Sequence, residues 1–207
     1  MDDKTKKIVE SVSKLYLEYG IKGVTMDDVA HRLSISKKTL YEHFKDKKEL
    51  VLAVLENARE EWDCHFSSFE CKNCSAIDEI FHFYEIQAKM IRSNKPAFVY
   101  DLKKYYPEVY NNFHKIKQKL IFENFVNNIH KGKKEGLYRE NINGEIISKL
   151  NLMRFEGILE SEYFTIDELL STELFTEMFK YHLYGIVSDK GRDIVNQKFN
   201  NKSLKST

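Results

Sequence analysis

Hydrophobic residues recur every three or four positions through most of the chain, and this spacing predicts helices. The first such segment has its apolar face at Ile8, Val12, Leu15, Tyr16 and Tyr19. Gly20 follows directly and is a typical residue for a helix C-terminus. Strand-like alternation is hard to find, and the chain has only two prolines and eight glycines. The pattern therefore predicts an all-α protein.

Two short helices are predicted directly after that segment. Thr25 and Asp28 have the spacing of a capping box, so a helix is expected to begin after Thr25. Its apolar face contains Met26, Val29, Ala30 and Leu33. Ser36 is a second N-cap candidate, and the helix it opens can pack on the first through Leu40 and Phe44. The other face of this second helix carries Lys37, Lys38, Thr39, Tyr41 and His43.

Positive charge is concentrated in the same stretch. Six basic and two acidic residues between Arg32 and Lys48 give a net charge of +4, whereas the whole chain has +1. A charge run alone is more often a solvated helix face. Two capped helices joined by a short turn, with basic and hydroxyl side chains on the second, are typical of a helix-turn-helix whose recognition helix enters the major groove. We interpret the segment as a DNA-binding unit completed by the first helix.

The remaining hydrophobic pattern predicts a larger helical region. Further helices are expected over 47–62, 76–92, 97–104, 107–129, 143–159 and 172–187. The 76–92 segment is apolar most of the way round, which is typical of a central helix. The last two helices offer more apolar surface than one small bundle needs, which favours a partner chain. The sequence turns polar from residue 189, where we expect a helical extension followed by a mobile tail. The expected domains are therefore 1–46, 47–190 and a polar C-terminal tail of 191–207.

Composition excludes several classes of protein. Hydrophobic residues make up 42% of the chain and charged residues 31%, the mixture of a globular protein. No apolar run approaches the roughly 18 residues of a membrane-spanning helix, and the N-terminus lacks the apolar segment of a secretory signal, so a cytoplasmic protein is expected. Phosphate-binding glycine loops, nucleophile elbows and His-Glu-x-x-His motifs are absent from the sequence. We expect neither an enzyme nor a cofactor.

Residues 8 to about 55 resemble the N-terminal domain of the TetR family of bacterial transcriptional regulators. The segments that carry the resemblance are Leu15–Gly20, Thr25 with Asp28–Ala30, Ile35–Phe44 and Lys47–Leu50. It covers about a quarter of the chain and departs from the family in two places. Ser34 stands where the family usually has glycine in the turn, which predicts a left-handed backbone there. Lys38 stands where many members have glycine, and it adds a long cation to the recognition helix.

The resemblance implies specific contacts with DNA. Residues at the positions of Thr25, Tyr41 and Lys47 commonly contact phosphates in the family, while others on the second short helix face the groove or its walls. The complete set of predicted DNA-binding residues is Thr25, Ser36, Lys37, Lys38, Thr39, Tyr41, His43 and Lys47. The expected partner is a near-palindromic duplex.

The resemblance also implies a homodimer with a small-molecule effector, most simply a repressor that the effector releases from DNA. The final two helices are expected to form the dimer interface, at Met153, Phe155, Leu159, Phe175, Phe179, His182, Leu183 and Ile186. Composition alone suggests an apolar or aromatic effector, because aromatic residues and methionines are frequent between residues 76 and 129. The candidate effector-binding residues are Phe83, Gln87, Met90, Tyr105, Tyr106 and Phe113.

Two alternative modes of regulation remain open at this point. Cys64, His65, Cys71 and Cys74 are four possible metal ligands within eleven residues, so the chain could sense a metal or a thiol oxidant. A second spaced ligand pair is missing, and reduced cysteines in a cytosolic protein are the simpler interpretation. The other alternative is a regulator controlled by a protein partner without a small-molecule inducer.

Overall fold

The computed structural model describes residues 1–67, 74–93, 96–159, 161–169 and 171–203. This part of the chain contains eleven helices and no strand beyond an isolated bridge between Tyr138 and Val187. The helices are α1 (Asp3–Tyr19), α2 (Met26–Arg32), α3 (Lys37–His43), α4 (Lys47–Ser67), α5 (Ala76–Ser93), α6 (Pro96–Tyr105), α7 (Pro107–Lys134), α8 (Gly144–Leu159), α9 (Ile166–Leu169), α10 (Thr172–Ile186) and α11 (Asp189–Ser203). None of the helices in these ranges is long and apolar enough to cross a membrane.

Local signals start and stop α1, and its predicted end at Gly20 is confirmed. Asp2 caps α1, with its Oδ1 accepting hydrogen bonds from the backbone N–H groups of Lys4 and Thr5 at 3.0 Å each. Gly20 ends α1 with a φ of +76°, a conformation that glycine adopts without strain, and its N–H bonds to the carbonyl of Tyr16. Helix ends satisfied in this way leave few backbone groups without partners.

The turn between α2 and α3 is a Schellman motif. The N–H of Ile35 donates to the carbonyl of Ala30, and the N–H of Ser34 donates to the carbonyl of His31. Ser34 has a φ of +53°, so the left-handed backbone predicted at this position is confirmed. Because a side chain with a Cβ is strained in that conformation, the turn stores about 1 kcal/mol.

Packing divides the chain into two compact units, and the first contains Met1–His65 and Ser93–Lys117. Its core combines buried residues of α1, α2, α3 and α4 with Leu102 of α6. The largest fully buried side chains here are Tyr16, Ile21, Leu40 and Leu50. Asp101 of α6 is also buried, and it accepts a hydrogen bond from the backbone N–H of Lys22 at 2.7 Å. The helix-turn-helix therefore shares one core with α4 and α6.

The second unit contains Phe66–Arg92 and Gln118–Thr207. A buried network fixes the start of α5 against α7: the Nδ2 of Asn128 donates to the carbonyl of Ala76 at 2.8 Å and to Glu79 at 3.0 Å. The Tyr138 hydroxyl donates to the Oδ1 of Asn128 at 2.9 Å. Gly132 faces the ring of Tyr138, and a Cβ at Gly132 would lie 2.1 Å from that ring. The approach of these two segments therefore requires glycine.

Helix α11 occupies most of the segment predicted as a polar tail over 191–207, in agreement with the helical extension expected at its start. The helix runs to Ser203, with Val195 fully buried and the Phe199 ring 5.1 Å from that of Phe81. Lys198 forms an ion pair with Asp78 at 2.5 Å. The apolar stripe of α11 consists of few residues, so the polar composition of the segment concealed it. The predicted domain boundary at residue 46 stays a prediction. Packing places α4 and α6 in the same compact unit as α1, α2 and α3, so this boundary does not coincide with the edge of a compact unit.

Candidate nucleic-acid interface

Helix α3 is held by one side and exposed on the other. Leu40 is fully buried and Phe44, which follows the helix, is almost so. On the opposite side Lys37, Lys38 and Tyr41 are exposed, with half of the Tyr41 surface accessible. This is the amphipathic arrangement that the sequence predicted, and it presents basic and hydroxyl groups from a fixed helix.

The hydroxyls of Ser36 and Thr39 act first on the helix itself. Ser36 Oγ accepts the backbone N–H of Thr39 at 3.0 Å, so the predicted N-cap of α3 is confirmed. The two hydroxyl oxygens lie 2.8 Å apart and share a hydrogen bond. Both groups are thus oriented before any ligand arrives.

Lys37 has an internal partner on α2. Its Nζ lies 2.6 Å from Asp27 Oδ2, and both side chains are about three-fifths exposed. An ion pair this exposed is worth at most about 1 kcal/mol. A phosphate or a guanine edge can therefore replace Asp27 as the partner of Lys37 at a low cost in free energy. The ten-residue separation of the two side chains carries no local signal, and the sequence did not predict the pair.

His43 is turned toward α1. Its Nδ1 lies 2.8 Å from Thr5 Oγ1, and Thr5 donates its only hydroxyl proton to Asp2 Oδ2 at 2.6 Å. Since Thr5 must therefore accept from His43, Nδ1 carries a proton, and Nε2 is the ring nitrogen that this bond does not use. The hydrogen bonds from Thr5 lower the pKa of Asp2 to about 2. Asp2 and Thr5 have capping spacing, but nothing in the sequence links them to His43.

Thr25 and Lys47 occupy two further helix starts. Thr25 and Asp28 form the predicted capping box, with the backbone N–H of Asp28 donating to Thr25 Oγ1 at 3.1 Å and that of Thr25 donating to Asp28 Oδ2 at 2.8 Å. Hydrogen bonds from Thr25 lower the pKa of Asp28. Lys47 opens α4 and is half-buried, which lowers its pKa, while the carboxylates of Asp101 and Asp28 oppose that shift. The backbone N–H of Thr25 already donates to Asp28. A phosphate at this helix start would therefore bind the other backbone N–H groups of the first turn.

The candidate effector residues do not gather in one unit. Tyr105, Tyr106 and Phe113 belong to the first unit, where Tyr106 and Phe113 pack against its core. Phe83 and Gln87 belong to the second, with Phe83 buried and its ring 5.0 Å from that of Phe125. The side chain of Met90 lies outside the described residues. A single pocket formed by these six residues stays a prediction.

The structure corrects half of the predicted dimer interface. Phe179, His182, Leu183 and Ile186 are buried within the chain itself, so they are core residues of α10 rather than surface residues. Helical periodicity marks an apolar face without saying which neighbour covers it, and here the same chain does. Met153 is exposed, Phe155 and Phe175 are half-buried, and the side chain of Leu159 lies outside the described residues.

The cysteine cluster falls largely outside the described residues, namely the side chains of Cys64 and His65 and the whole of Cys71. Cys74 is disulfide-bonded, so the expectation of a reduced thiol is wrong at that position. Among the side chains that the structure describes, no three His, Cys, Asp or Glu residues are grouped to hold a metal ion.

Sequence comparisons match the part of the chain that contains this interface. The profile of bacterial regulatory proteins of the tetR family matches residues 8–54. The HTH-type transcriptional activator FasR of Mycolicibacterium smegmatis is 36% identical over 55 residues, covering 27% of this chain and 25% of that protein. An HTH-type transcriptional regulator of Staphylococcus aureus strain USA300 is 34% identical over 65 residues, covering 31% of this chain and 35% of that protein. The match thus spans a quarter to about a third of the length of these curated relatives.

Solved structures extend the likeness to the whole fold. A transcriptional regulator from Cytophaga hutchinsonii has a TM-score of 0.74 at 20% identity, over 90% of this chain and 100% of that one. A TetR transcriptional regulator from Chloroflexus aurantiacus has a TM-score of 0.66 at 18% identity, over 88% of this chain and 96% of that one. The predicted all-α fold, with an N-terminal helix-turn-helix and a larger helical part, is confirmed.

Proposed function

The chain belongs to the TetR family of bacterial regulatory proteins, and from this premise we propose that it is a dimeric transcriptional regulator that binds a near-palindromic operator. The observation that carries the proposal is α3, a capped helix whose Leu40 lies in the core while Lys37, Lys38 and Tyr41 are exposed. Basic side chains on a rigid helix supply affinity through phosphates and specificity through base edges. The family consists of regulators rather than enzymes, in agreement with the absence of catalytic motifs from the sequence.

A two-fold dimer would double this interface. Two recognition helices read successive major grooves when they are separated by about 34–36 Å or a multiple of it. The mode of action that we propose is repression, relieved when a small hydrophobic or aromatic effector stabilises a dimer with a different separation. The effector need only bind the released state better than the DNA-bound state.

Helix α8 supplies the surface on which we base the dimer. Ile146, Leu150 and Met153 are 53%, 50% and 63% exposed, and their spacing of four and three residues puts them on one face. Gly157 continues that face, and a Cβ built there has no atom within 4 Å. Exposed apolar residues in a continuous stripe are typical of an interaction surface. Tyr181, 80% exposed on α10, is a further candidate.

The dimer surface can be tested by sedimentation of Leu150→Glu. A charge in the middle of an apolar interface should convert the dimer to a monomer, whereas the matched control Leu52→Glu, at an exposed leucine of α4, should leave the dimer intact. A Leu150→Glu protein that sediments like the wild type would exclude this face.

DNA recognition can be tested with a duplex selected by the wild-type protein from a random pool. Replacing Lys37, Tyr41 and His43 together with alanine should weaken binding about 100-fold or more, since each lost contact is worth about 1 kcal/mol or more. The matched control replaces Lys119, His130 and Tyr163, three exposed residues of the same types in the second unit. Equal affinities of the two triple variants would refute the assignment of α3 as the recognition helix.

A further inference from the structure

Four polar side chains of the second unit form a cluster: the buried Tyr84 of α5, Asn151 of α8 and His182 of α10, and the half-buried Arg154 of α8. Arg154 Nη2 donates to the Tyr84 hydroxyl at 3.1 Å and also to Asn151 Oδ1. The Tyr84 hydroxyl in turn donates to Asn151 Oδ1 at 3.5 Å. Burial raises the pKa of Tyr84 well above its usual value, so the hydroxyl keeps its proton.

Three polar atoms of the cluster are buried and have no hydrogen-bond partner among the described residues: Asn151 Nδ2, Arg154 Nε and His182 Nε2. Asn151 and His182 are only 2% and 7% exposed. The asparagine and arginine nitrogens are obligatory donors, and the imidazole nitrogen becomes one when it carries the ring proton. A buried donor without an acceptor is costly and uncommon in folded proteins. Each of these three side chains therefore lacks an acceptor among the described residues.

Arg154 favours a missing group that carries negative charge. The half-buried guanidinium is permanently positive, and no carboxylate among the described residues forms an ion pair with it. Burial and the nearby Arg154 charge lower the pKa of His182 to about 3, so the imidazole stays neutral and adds no second cation. A water molecule could accept the hydrogen bonds, but an anion would also be attracted by the arginine charge.

Aromatic rings lie next to the polar side chains of the cluster. The Tyr84 ring stacks on Phe179 with centroids 3.7 Å apart, and Phe175 and Phe155 lie 5.5 and 5.6 Å from it. The ring of Phe125 lies 5.8 Å from that of His182. The surroundings suit an apolar or aromatic body attached to the charged group.

We propose that the effector is a carboxylic acid with an apolar or aromatic body, whose carboxylate accepts hydrogen bonds from Arg154 Nε, Asn151 Nδ2 and His182 Nε2. Binding of the acid is a property of the cluster alone, whereas its effect on DNA rests on the proposed regulatory function. Neutral compounds of the same shape can accept hydrogen bonds from the donors but do not complement the arginine charge.

The first experiment needs no ligand. Asn151→Asp supplies a carboxylate next to Arg154, so it should raise the unfolding temperature of the full chain. The matched control Ser148→Asp adds a carboxylate at a buried position one turn earlier on α8, without the arginine, and should lower the unfolding temperature. A decrease for Asn151→Asp comparable to that of the control would overturn the proposal, because the cluster would then already be balanced.

The second experiment compares acids with their alcohols by isothermal titration. The probes are 3-phenylpropionate against 3-phenylpropanol and hexanoate against hexanol. The wild type should prefer each acid at least about tenfold, as expected for charge-assisted hydrogen bonds. Arg154→Met and Asn151→Asp should bind acid and alcohol within about twofold of each other, while Arg154→Lys should keep part of the preference. No acid preference in the wild type, or an undiminished one in Arg154→Met, contradicts the proposal.

A DNA-binding assay separates this inference from the proposed function. Acid preference with unchanged operator affinity would support the carboxylate site and contradict effector-controlled release. Operator binding that depends on α3, together with no acid preference, would support the regulator and overturn the carboxylate site.

Discussion

The two compact units differ in how their unsatisfied buried polar atoms are arranged. In the first unit, the ends of α1, α2 and α3 are satisfied by side chains two or three residues away, such as Asp2, Thr25 and Ser36, and the Tyr16 hydroxyl is a single buried group without a partner among the described residues. In the second unit, Asn151 Nδ2, Arg154 Nε and His182 Nε2 are three such atoms in one cluster. Capped helix ends produce a rigid surface for an external ligand, whereas several unsatisfied nitrogens in one cluster indicate a ligand inside.

The largest effect is expected from Leu40→Ala, which tests the rigidity of the first unit. Leu40 is fully buried beneath the recognition helix, so the loss of its side chain should lower the free energy of unfolding by about 2–5 kcal/mol. DNA affinity should fall with it. The matched control Leu52→Ala, at an exposed leucine of α4, should change the stability by less than about 1 kcal/mol. Denaturant unfolding of both variants measures the two changes in the free energy of unfolding. Similar decreases for Leu40→Ala and Leu52→Ala would show that α3 is not anchored by Leu40.

The next effect is the pH dependence of folding stability that His182 gives to the second unit. The folded pKa of His182 is lowered to about 3 from 6.5, mainly by burial. Below pH 6.5 the unfolded chain therefore binds a proton that the folded chain does not, and stability falls as the pH decreases toward 3. This linkage amounts to about 2 kcal/mol at pH 5 relative to pH 7. His182→Gln should lack that part of the pH dependence in urea unfolding, and parallel curves for the two proteins would contradict the burial of a neutral imidazole.

A smaller effect tests the local capping of the first unit. Thr25→Ala removes one side of the capping box with Asp28 and should cost about 1 kcal/mol. Because the hydrogen bonds from Thr25 lower the pKa of Asp28, the part of this loss that comes from the Thr25 hydroxyl donating to the Asp28 carboxylate should be present near neutral pH and should decrease as the acid is protonated. The part that comes from Thr25 Oγ1 accepting the Asp28 N–H should remain at low pH. Thermal unfolding at pH 7 and pH 3 measures both parts. An equal loss at the two pH values would show that the hydroxyl bond to the carboxylate adds nothing to the stability.

The smallest effect is expected at the turn of the helix-turn-helix. Ser34→Gly removes the strain of a positive φ and should stabilise the protein by roughly 0.5–1 kcal/mol. The control Ser11→Gly, within α1, should destabilise by a similar amount, because glycine is unfavourable in a helix interior. Calorimetry on both variants tests the pair, and destabilisation by Ser34→Gly would mean that the serine side chain stabilises the turn.

The difference between local interactions and contacts far apart in sequence explains what the sequence could predict. Capping pairs, helical periodicity and the serine in the left-handed turn act over a few residues, so the first unit followed from them. The burial of Leu183 and Ile186, the packing of Phe199 on Phe81, and the link from Thr5 to His43 join residues far apart in sequence. Periodicity identifies an apolar face but not its neighbour, and no local rule reveals that Arg154 has no acidic partner among the described residues.

Footprinting with hydroxyl radicals on the selected duplex tests the central claim most directly, namely that two copies of α3 read one face of DNA. The expected result is two symmetric protected regions whose centres are about 10–10.5 base pairs apart or a multiple of that spacing, and both should disappear with the Lys37, Tyr41 and His43 triple variant. A single asymmetric region, or protection that survives in that variant, would contradict the claim.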